Sequence, residues 1–205
     1  MFALGNQSFS EGASYKNGWK ITMVTSPSFA LVQIMDTKTS LFSKAWSLYE
    51  KSFASEYRRS LQKQKVIMKS EGYHFLVYAK DAKVLGFIAL WNLDDFVFIE
   101  HLAVQEECRS KGIGSDMVKF VKSATAQGTK VIIEAERPLT PLQERRIHFY
   151  ENLEFVRNSF VYFQPSYGKN KPPMPLLILS HPRRLSGTEF ESMTGAIHRI
   201  VYGVN

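Results

Sequence analysis

The residues best suited to chemistry lie near the middle of the chain, where residues 109–115 read RSKGIGS. Gly112 and Gly114 lie at the predicted start of a helix, beside the basic residues Arg109 and Lys111. The first N–H groups of a helix have no internal partners, and the helix dipole places partial positive charge there. Because glycine lacks a Cβ atom, an anion can approach this backbone closely. The segment therefore predicts a binding site for a diphosphate.

This motif is not diagnostic by itself, because a tight turn at an ordinary helix start can show the same pattern. The dinucleotide-binding fingerprint needs a third glycine and the P-loop needs Gly-Lys-Ser/Thr, and the segment has neither. Its setting favours the anion site. Residues 96–104 (FVFIEHLAV) read as a long strand directly before it, and residues 112–127 read as an amphipathic helix directly after it.

Strand and helix patterns alternate along the rest of the chain. The βαβ unit at 96–135, with strands on either side of it, predicts a mixed α/β sheet covered by helices. The remaining predicted elements are strands at 29–35, 73–79, 84–91, 130–135, 155–163 and 175–180, and helices at 39–53, 55–70, 141–153 and 186–202.

The domain organisation is simple. Residues 1–20 are rich in Ser, Gly and Asn, which predicts a flexible N-terminal extension. Residues 21–205 show neither an internal repeat nor a composition boundary, so we predict one domain there. With 44% apolar and 22% charged residues, the composition is that of a globular protein with a substantial core.

Composition also limits the location and the partners of the chain. No window holds 18 consecutive apolar residues, and the N-terminus lacks a basic region followed by an apolar one, which argues against a membrane span or a secretory signal. The single cysteine, Cys108, cannot form an internal disulfide, which favours the cytoplasm. The net charge of +7 is spread over short basic clusters without a zinc-finger or helix-turn-helix pattern, which argues against a nucleic-acid partner.

The order of the motifs resembles the GNAT superfamily of N-acetyltransferases. The residues that carry the resemblance are EHLAV at 100–104, RSKGIG at 109–114 and FYENLEF at 149–155, with a predicted strand between the last two motifs. The likeness extends over about residues 29–163. The paired motifs are far more specific than either one alone.

The resemblance implies a mixed, mostly antiparallel central sheet with a splayed parallel strand pair, at 96–104 and 130–136, and helices on both faces. It implies acetyl-coenzyme A as co-substrate, with the pantetheine arm in the gap between those strands, and no metal. Main-chain groups at 102 and 104 would pair with the pantetheine, and N–H groups from 109 to 115 would hold the pyrophosphate. The implied cofactor-binding residues are Leu102, Ala103, Val104, Arg109, Ser110, Lys111, Gly112, Ile113, Gly114, Ser115 and Gln143.

By the same resemblance, an amine attacks the thioester directly. The tyrosine of the Phe-Tyr pair, Tyr150, commonly lies near the thioester sulfur, so it is our candidate general acid. Two carboxylates compete as the general base: Glu134, and Glu100, whose apolar neighbours predict a raised pKa. Glu136 and His101 are weaker candidates, and strand alternation predicts that His101 faces away from Glu100. A base is needed because a lysine-like amine costs roughly 4–5 kcal/mol to deprotonate at pH 7.

The sequence departs from the family pattern at two positions. Glu154 stands where relatives usually have glycine, and a left-handed backbone there would cost about 1–2 kcal/mol. Gln143 stands where relatives often have an asparagine that binds the pantetheine. Neither change removes the predicted diphosphate site. The alternative to the enzyme is a coenzyme-binding module without turnover, serving as a sensor or interaction protein, because Tyr150 and the nearby acids favour the enzyme but do not exclude the module.

The acceptor is not indicated by the sequence, beyond an amine of a small molecule or peptide. The resemblance implies that its pocket is built from about 40–70 and 159–180. An apolar stripe in the tail can pack either on the core or on a second copy of the chain as a homodimer; its members are Phe190, Met193, Ile197, Ile200 and Val201.

Overall fold

The computed structural model describes residues 8–10, 23–26, 29–168 and 171–204. Within these ranges, ten strands form one sheet in the order β1-β2-β3-β4-β5-β6-β7-β10-β8, and β9 also pairs with β10. The strands are β1 (Ser8–Ser10), β2 (Met23–Ser26), β3 (Phe29–Gln33), β4 (Tyr73–Lys80), β5 (Lys83–Leu93), β6 (Phe96–Val104), β7 (Lys130–Glu136), β8 (Val156–Arg157), β9 (Tyr162–Gln164) and β10 (Met174–His181). The α-helices are α1 (Ser40–Ser52), α2 (Leu61–Ile67), α3 (Ile113–Ala124), α4 (Pro141–Glu151) and α5 (Gly187–Ile197).

The parallel pair β6–β7 is the feature that opens the sheet. The two strands pair from Phe96 with Lys130 to Ile99 with Ile133, and then stop pairing. Beyond that point β6 continues along β5 as far as Val104, while β7 continues along β10. The other strand pairs described are antiparallel. The mixed, mostly antiparallel sheet with a splayed parallel pair is therefore confirmed.

A β-bulge lies in β6 at the start of the gap. Leu90 pairs with Ile99 and Ala89 pairs with His101, so Glu100 is an extra residue without a partner on β5. The bulge interrupts the alternation of side chains, and Glu100 Oε1 lies only 3.8 Å from His101 Nδ1. The prediction that these two side chains face opposite sides of the sheet is wrong, because it assumed an unbroken period of two.

Helices cover both faces of the sheet, as predicted. The α1 face is the side on which α1 and α5 pack; its core includes Trp46, Tyr49, Phe75, Phe87 and Ile197. The α3 face is the opposite side, and its core includes Leu76, Ile88, Met117, Val121 and Ile147, from strands, α3 and α4. Amphipathic stripes on these helices therefore meet the apolar sides of the buried central strands.

Two predicted elements are interrupted where a polar side chain enters the core. Residues 55–70 are not one helix: a 3₁₀ turn at Ser55–Tyr57 precedes α2, and the extended residues between them carry Arg59 inward, where it is 3% exposed. Likewise, the predicted strand 155–163 is split into β8 and β9. Between them Asn158 turns inward, donates to the carbonyl of Ile178 at 3.1 Å and accepts the N–H of Leu185 at 2.8 Å.

The structure tests the predicted tail helix at the C-terminus, but not the predicted extension at the N-terminus. β1 pairs with β2, whereas residues 1–7 and 11–22 lie outside the described residues, so the flexible extension at 1–20 and the single domain at 21–205 stay predictions. The predicted tail helix begins with a capping box between Ser186 and Glu189, and α5 continues as a π-helical turn at His198–Tyr202. Four members of the predicted apolar stripe, Phe190, Met193, Ile197 and Val201, pack on the core of the α1 face, whereas Ile200 is 43% exposed.

Glu154 is left-handed in the structure, with a φ of +66°, and its carboxylate lies 2.6 Å from Lys122 Nζ. We expect Glu154→Gly to unfold with a free energy about 1 kcal/mol higher than Glu154→Ala. Both variants lose the ion pair, but only alanine keeps a Cβ atom in the left-handed region. Urea unfolding of the two variants measures the difference. Equal stability would show that residue 154 carries no backbone strain.

Candidate active site

A cleft with a volume of about 520 Å³ occupies the gap between β6 and β7. It receives side chains from both faces of the sheet, because neither strand closes the gap after Ile99 and Ile133. The lining residues are Ile99–Val104 of β6, Ile133–Glu136 of β7, Ser52, Phe53, Ala54 and Tyr57 near the end of α1, Leu142, Arg146 and Tyr150 of α4, and Arg109, Gln164 and Leu176.

The predicted diphosphate loop follows β6 as a 3₁₀ turn and then reverses through two left-handed residues, Ser110 and Gly112, which have φ values of +62° and +84°. The N–H of Arg109 is occupied, because it donates to the carbonyl of Glu106 at 3.2 Å. In contrast, none of the described residues accepts a hydrogen bond from the N–H groups at 110–115. Asp116 is the first to bond, to Gly112 at 2.9 Å. The loop therefore presents unpaired amides at the start of α3.

Gly114 allows close packing as well as access for a ligand. A Cβ atom at this position would lie 3.3 Å from Cζ of Phe149 and 3.6 Å from Cγ2 of Val104. The first turn of α3 therefore packs so closely against β6 and α4 that a larger residue would require the Phe149 ring to shift by a few tenths of an ångström. This contact joins the RSKGIG motif to the Phe-Tyr motif in space.

Glu134 lies on the α1 face of the sheet and lines the cleft. Its two oxygens accept hydrogen bonds from two phenols, one from Tyr162 and one from Tyr202 at 2.5 Å. Burial raises the pKa of Glu134 to about 7, although both phenol hydrogen bonds act in the opposite direction. No ion pair to Glu134 occurs within the described part of the chain. This carboxyl group can therefore exchange a proton near neutral pH.

Glu100 also lines the cleft, but its carboxylate is fully engaged. It lies 2.5 Å from Arg59 Nη1 and accepts hydrogen bonds from Trp91 Nε1 at 3.0 Å and Tyr167 Oη at 2.6 Å. Desolvation alone would raise the pKa of Glu100, but the guanidinium of Arg59 holds it below the ordinary value. The prediction of a raised pKa is wrong, because the sequence did not reveal the buried arginine.

The two weaker candidates are also committed to other contacts. His101 Nε2 donates to the carbonyl of Tyr57 at 2.9 Å, and its ring packs edge-on against Tyr49 and Phe53. Burial lowers the pKa of His101, so the imidazole is neutral at pH 7. Glu136 forms an ion pair with Arg146 across the rim of the cleft.

Tyr150 enters the cleft from the α3 face, opposite Glu134. Its ring packs between Phe149 and Phe155, with centroids 5.0 and 6.0 Å away. Within the described ranges the hydroxyl has no hydrogen-bond partner, and burial raises the pKa of Tyr150 to about 12. The phenol is therefore protonated at neutral pH and free to donate a hydrogen bond into the cleft.

Gln143 is not brought into the cleft. Its Oε1 accepts the N–H of Leu139 at 3.0 Å, so the side chain bonds the residues that precede α4. The described lining residues from α4 are Leu142, Arg146 and Tyr150. Sequence reasoning also missed Arg59, Tyr162 and Tyr202, which hold the two carboxylates, because no periodic pattern marks a single arginine or tyrosine as inward-facing.

The geometry agrees with a family match. Residues 71–157, which include the splayed strands, the glycine loop and the Phe-Tyr helix, match the model of the acetyltransferase (GNAT) domain. This segment of the chain is therefore similar to the GNAT acetyltransferase domain. The family match ends at residue 157, before β9 and α5.

Solved structures share the fold of this chain. A protein from Bacteroides thetaiotaomicron assigned to the GNAT acetyltransferase family is 25% identical, with a TM-score of 0.78, covering 85% of this chain and 99% of that one. The ribosomal-protein-S18-alanine N-acetyltransferase from Escherichia coli shares the fold at 15% identity, with a TM-score of 0.54 over 78% and 96% of the chains. An aminoglycoside 6'-N-acetyltransferase, solved with coenzyme A, does so at 16% identity, with a TM-score of 0.55 over 75% and 98%.

No curated protein sequence is significantly similar to the chain. Over the residues that the structure describes, no helix is long and apolar enough to cross a membrane. In the same ranges, no group of three or more His, Cys, Asp or Glu side chains is placed to hold a metal ion.

The Arg59–Glu100 pair is expected to be essential for stability. Arg59→Met and Glu100→Gln should each lose about 3 kcal/mol or more of unfolding free energy at pH 7, because each leaves a buried charge unpaired. The double variant should recover much of the loss. Since the pKa of Glu100 is lowered on folding, the wild type also loses this stabilisation as the pH falls below the ordinary carboxyl range, whereas Glu100→Gln does not.

Glu50→Gln is the matched control for these variants, because it breaks an exposed pair with Arg58 of 3.3 Å. Exposed pairs contribute less than about 1 kcal/mol. Urea unfolding compares all four variants with the wild type. Similar losses for Glu50→Gln and Glu100→Gln would contradict the structural role of the buried pair.

Proposed function

We propose that the chain transfers the acetyl group of acetyl-coenzyme A to a primary amine of a small molecule or peptide by direct attack. One observation carries the proposal. Glu134 and Tyr150 approach one cleft from opposite faces of the sheet, one as a carboxyl with a pKa of about 7 and the other as a phenol with an unpaired hydroxyl. An amine on the Glu134 side would meet a carboxylate that can take its proton. A thiolate leaving on the Tyr150 side would meet a hydroxyl that can donate a hydrogen bond to the sulfur.

The loop and the strand edge fit acetyl-coenzyme A as co-substrate. The unpaired N–H groups at 110–115 suit a diphosphate, and Arg109 and Lys111 add positive charge at the exposed rim. Among the described strands, none pairs with the β7-facing edge of residues 102–104, so the amides of a pantetheine arm can pair with it. Each charge-assisted hydrogen bond contributes roughly 1.5–3 kcal/mol, so several acting together would give firm binding.

The acceptor side of the cleft suits a cationic amine. Arg59 and Arg146 are paired with Glu100 and Glu136, and His101 is neutral, so Glu134 is the carboxyl group of the described lining residues that is left without an ion pair. The C-terminal end of α1 also lines this side, and its dipole favours positive charge. Deprotonation costs about 1.4 kcal/mol per pKa unit between amine and base. An α-amino group near pKa 8 is therefore easier to activate by Glu134 than a lysine side chain.

The reaction balances with these two groups. The carboxylate of Glu134 takes a proton from the ammonium, and the neutral nitrogen attacks the carbonyl carbon of the thioester. The C–N bond forms, the nitrogen gives its second proton to solvent water, the C–S bond breaks, and the amide and the coenzyme thiolate leave. Because the pKa of Tyr150 is about 12 and that of a thiol is about 8.5, the phenol keeps most of its proton. Tyr150 therefore stabilises the departing sulfur by donating a hydrogen bond, and water supplies the thiol proton.

Acetyl-coenzyme A at one hundred times its dissociation constant should stabilise the chain by about 2.7 kcal/mol, which raises the melting temperature by roughly 5–10 °C. S-acetylpantetheine, which lacks the diphosphate, should stabilise it far less. Thiol release is then followed with glycinamide, benzylamine, lysine and spermidine. Stabilisation without thiol release from any of these amines would favour the non-catalytic binding module, and no stabilisation by acetyl-coenzyme A would refute coenzyme binding.

Glu134→Gln should lower kcat/KM at least about 100-fold at pH 7, because the base is lost, while the thermal shift with acetyl-coenzyme A stays unchanged. The wild-type profile of kcat/KM should fall on the acid side of pH 7, where Glu134 becomes protonated, and this limb should be absent from the variant. Glu136→Gln is the comparison, and it should keep the limb. A limb near pH 7 that persists in Glu134→Gln would assign the base to another group.

A further inference from the structure

The C-terminal segment, residues 187–204, lies outside the part of the chain that matches the family model, yet it reaches the cleft carboxylate. Helix α5 does not end at Ile197 but passes directly into the π-helical turn at His198–Tyr202. Such turns are rare and often occur at functional sites. Ile197 and Val201 anchor the segment in the core of the α1 face, at 0% and 4% exposure.

Tyr202 and Tyr162 hold the two oxygens of Glu134 separately. Tyr202 donates to Oε2 at 2.5 Å, and Tyr162 donates to Oε1. A carboxylate oxygen has two lone-pair positions, so one on each oxygen stays available to an incoming ammonium. The two phenols thus fix the plane of the carboxylate without saturating it.

The position of Tyr202 is itself fixed by the Arg59–Glu100 pair. Arg59 Nη2 donates to the carbonyl of Val201 at 3.1 Å, next to Tyr202 in the chain, while Nη1 contacts Glu100. Tyr167 donates to Glu100 at 2.6 Å, and its hydroxyl lies 3.4 Å from that of Tyr202. The buried ion pair therefore connects the residues between α1 and α2, the bulge in β6 and the C-terminal turn.

We infer that Tyr202 is a positioning residue for acetyl transfer and that the C-terminal segment completes the active site by orienting the carboxylate of Glu134. The inference rests on the proposed function, because it assigns Tyr202 a role through the base of that reaction. It adds a part of the machinery that the family match does not include.

The acidity of Glu134 offers a readout that a merely structural role would not change. The groups that face it are Tyr162 from β9, Tyr202 from the C-terminal turn, and, farther away, Glu100 and Arg59. Hydrogen bonds donated to a carboxylate favour its charged form. Removal of the Tyr202 hydroxyl should therefore raise the pKa of Glu134, whereas a general loss of packing would lower the rate at every pH.

Tyr202→Phe is the test variant, assayed for acetyl transfer from acetyl-coenzyme A to the best amine of the panel between pH 5.5 and 9.5. The acid limb should move up by about one pH unit, so the rate at pH 7 falls about fivefold and returns close to the wild-type rate at pH 9. Tyr73→Phe is the matched control, because it removes another buried phenol, which accepts from Gln64 at 2.8 Å outside the cleft. Its limb should stay in place.

The outcomes separate the inference from the proposed function. Turnover by the wild type with an unmoved limb in Tyr202→Phe, or a loss of equal size at every pH, overturns the role of Tyr202 alone. Absence of turnover by the wild type with every amine overturns the proposed function and the inference with it. Titration of the Glu134 carboxyl carbon by NMR in both proteins checks the cause directly, and an unchanged titration in Tyr202→Phe also overturns the inference.

Discussion

The site depends on the point at which β6 and β7 stop sharing hydrogen bonds. The two strands form a parallel ladder as far as Ile99 and Ile133. Beyond these residues β6 pairs with β5, and β7 pairs with β10. Main-chain polar groups inside a protein require partners, so the two inner edges of the gap suit an extended ligand that carries amides of its own. The same divergence exposes side chains from both faces to one space, which neither face of a closed sheet could provide.

The buried ion pair decides which carboxylate remains available in that space. Arg59 satisfies Glu100, whereas Glu134 is held only by neutral phenols and keeps a pKa of about 7. A buried ion pair is weak evidence for stability by itself, because desolvation offsets much of the attraction. The pair matters here because the guanidinium of Arg59 contacts both the bulge in β6 and the C-terminal turn, and so fixes their relative position.

Much of the fold could be predicted from the sequence, because long periodic segments reveal their own structure. The strand at 96–104 and the helix over α3 follow from local hydrophobic patterns, and the glycine loop between them follows from turn chemistry. The split of 55–70 could not be predicted, since Arg59 leaves the helical path to reach Glu100, a partner distant in sequence. Tyr202 was missed for the same reason. Local patterns show which face of an element is apolar, but not which polar group crosses to meet another.

The extra residue in β6 has a consequence for how this strand can vary. Downstream of Glu100, Leu102 and Val104 pack toward the α3 face and Ala103 toward the α1 face, the reverse of the unbroken alternation counted from Phe96. Shortening the strand by one residue would move each of these side chains to the opposite face of the sheet. It would also reverse the direction in which the main-chain N–H and C=O groups point at the edge beside the gap. The strand can therefore accept replacement of individual side chains far more readily than any change in its length.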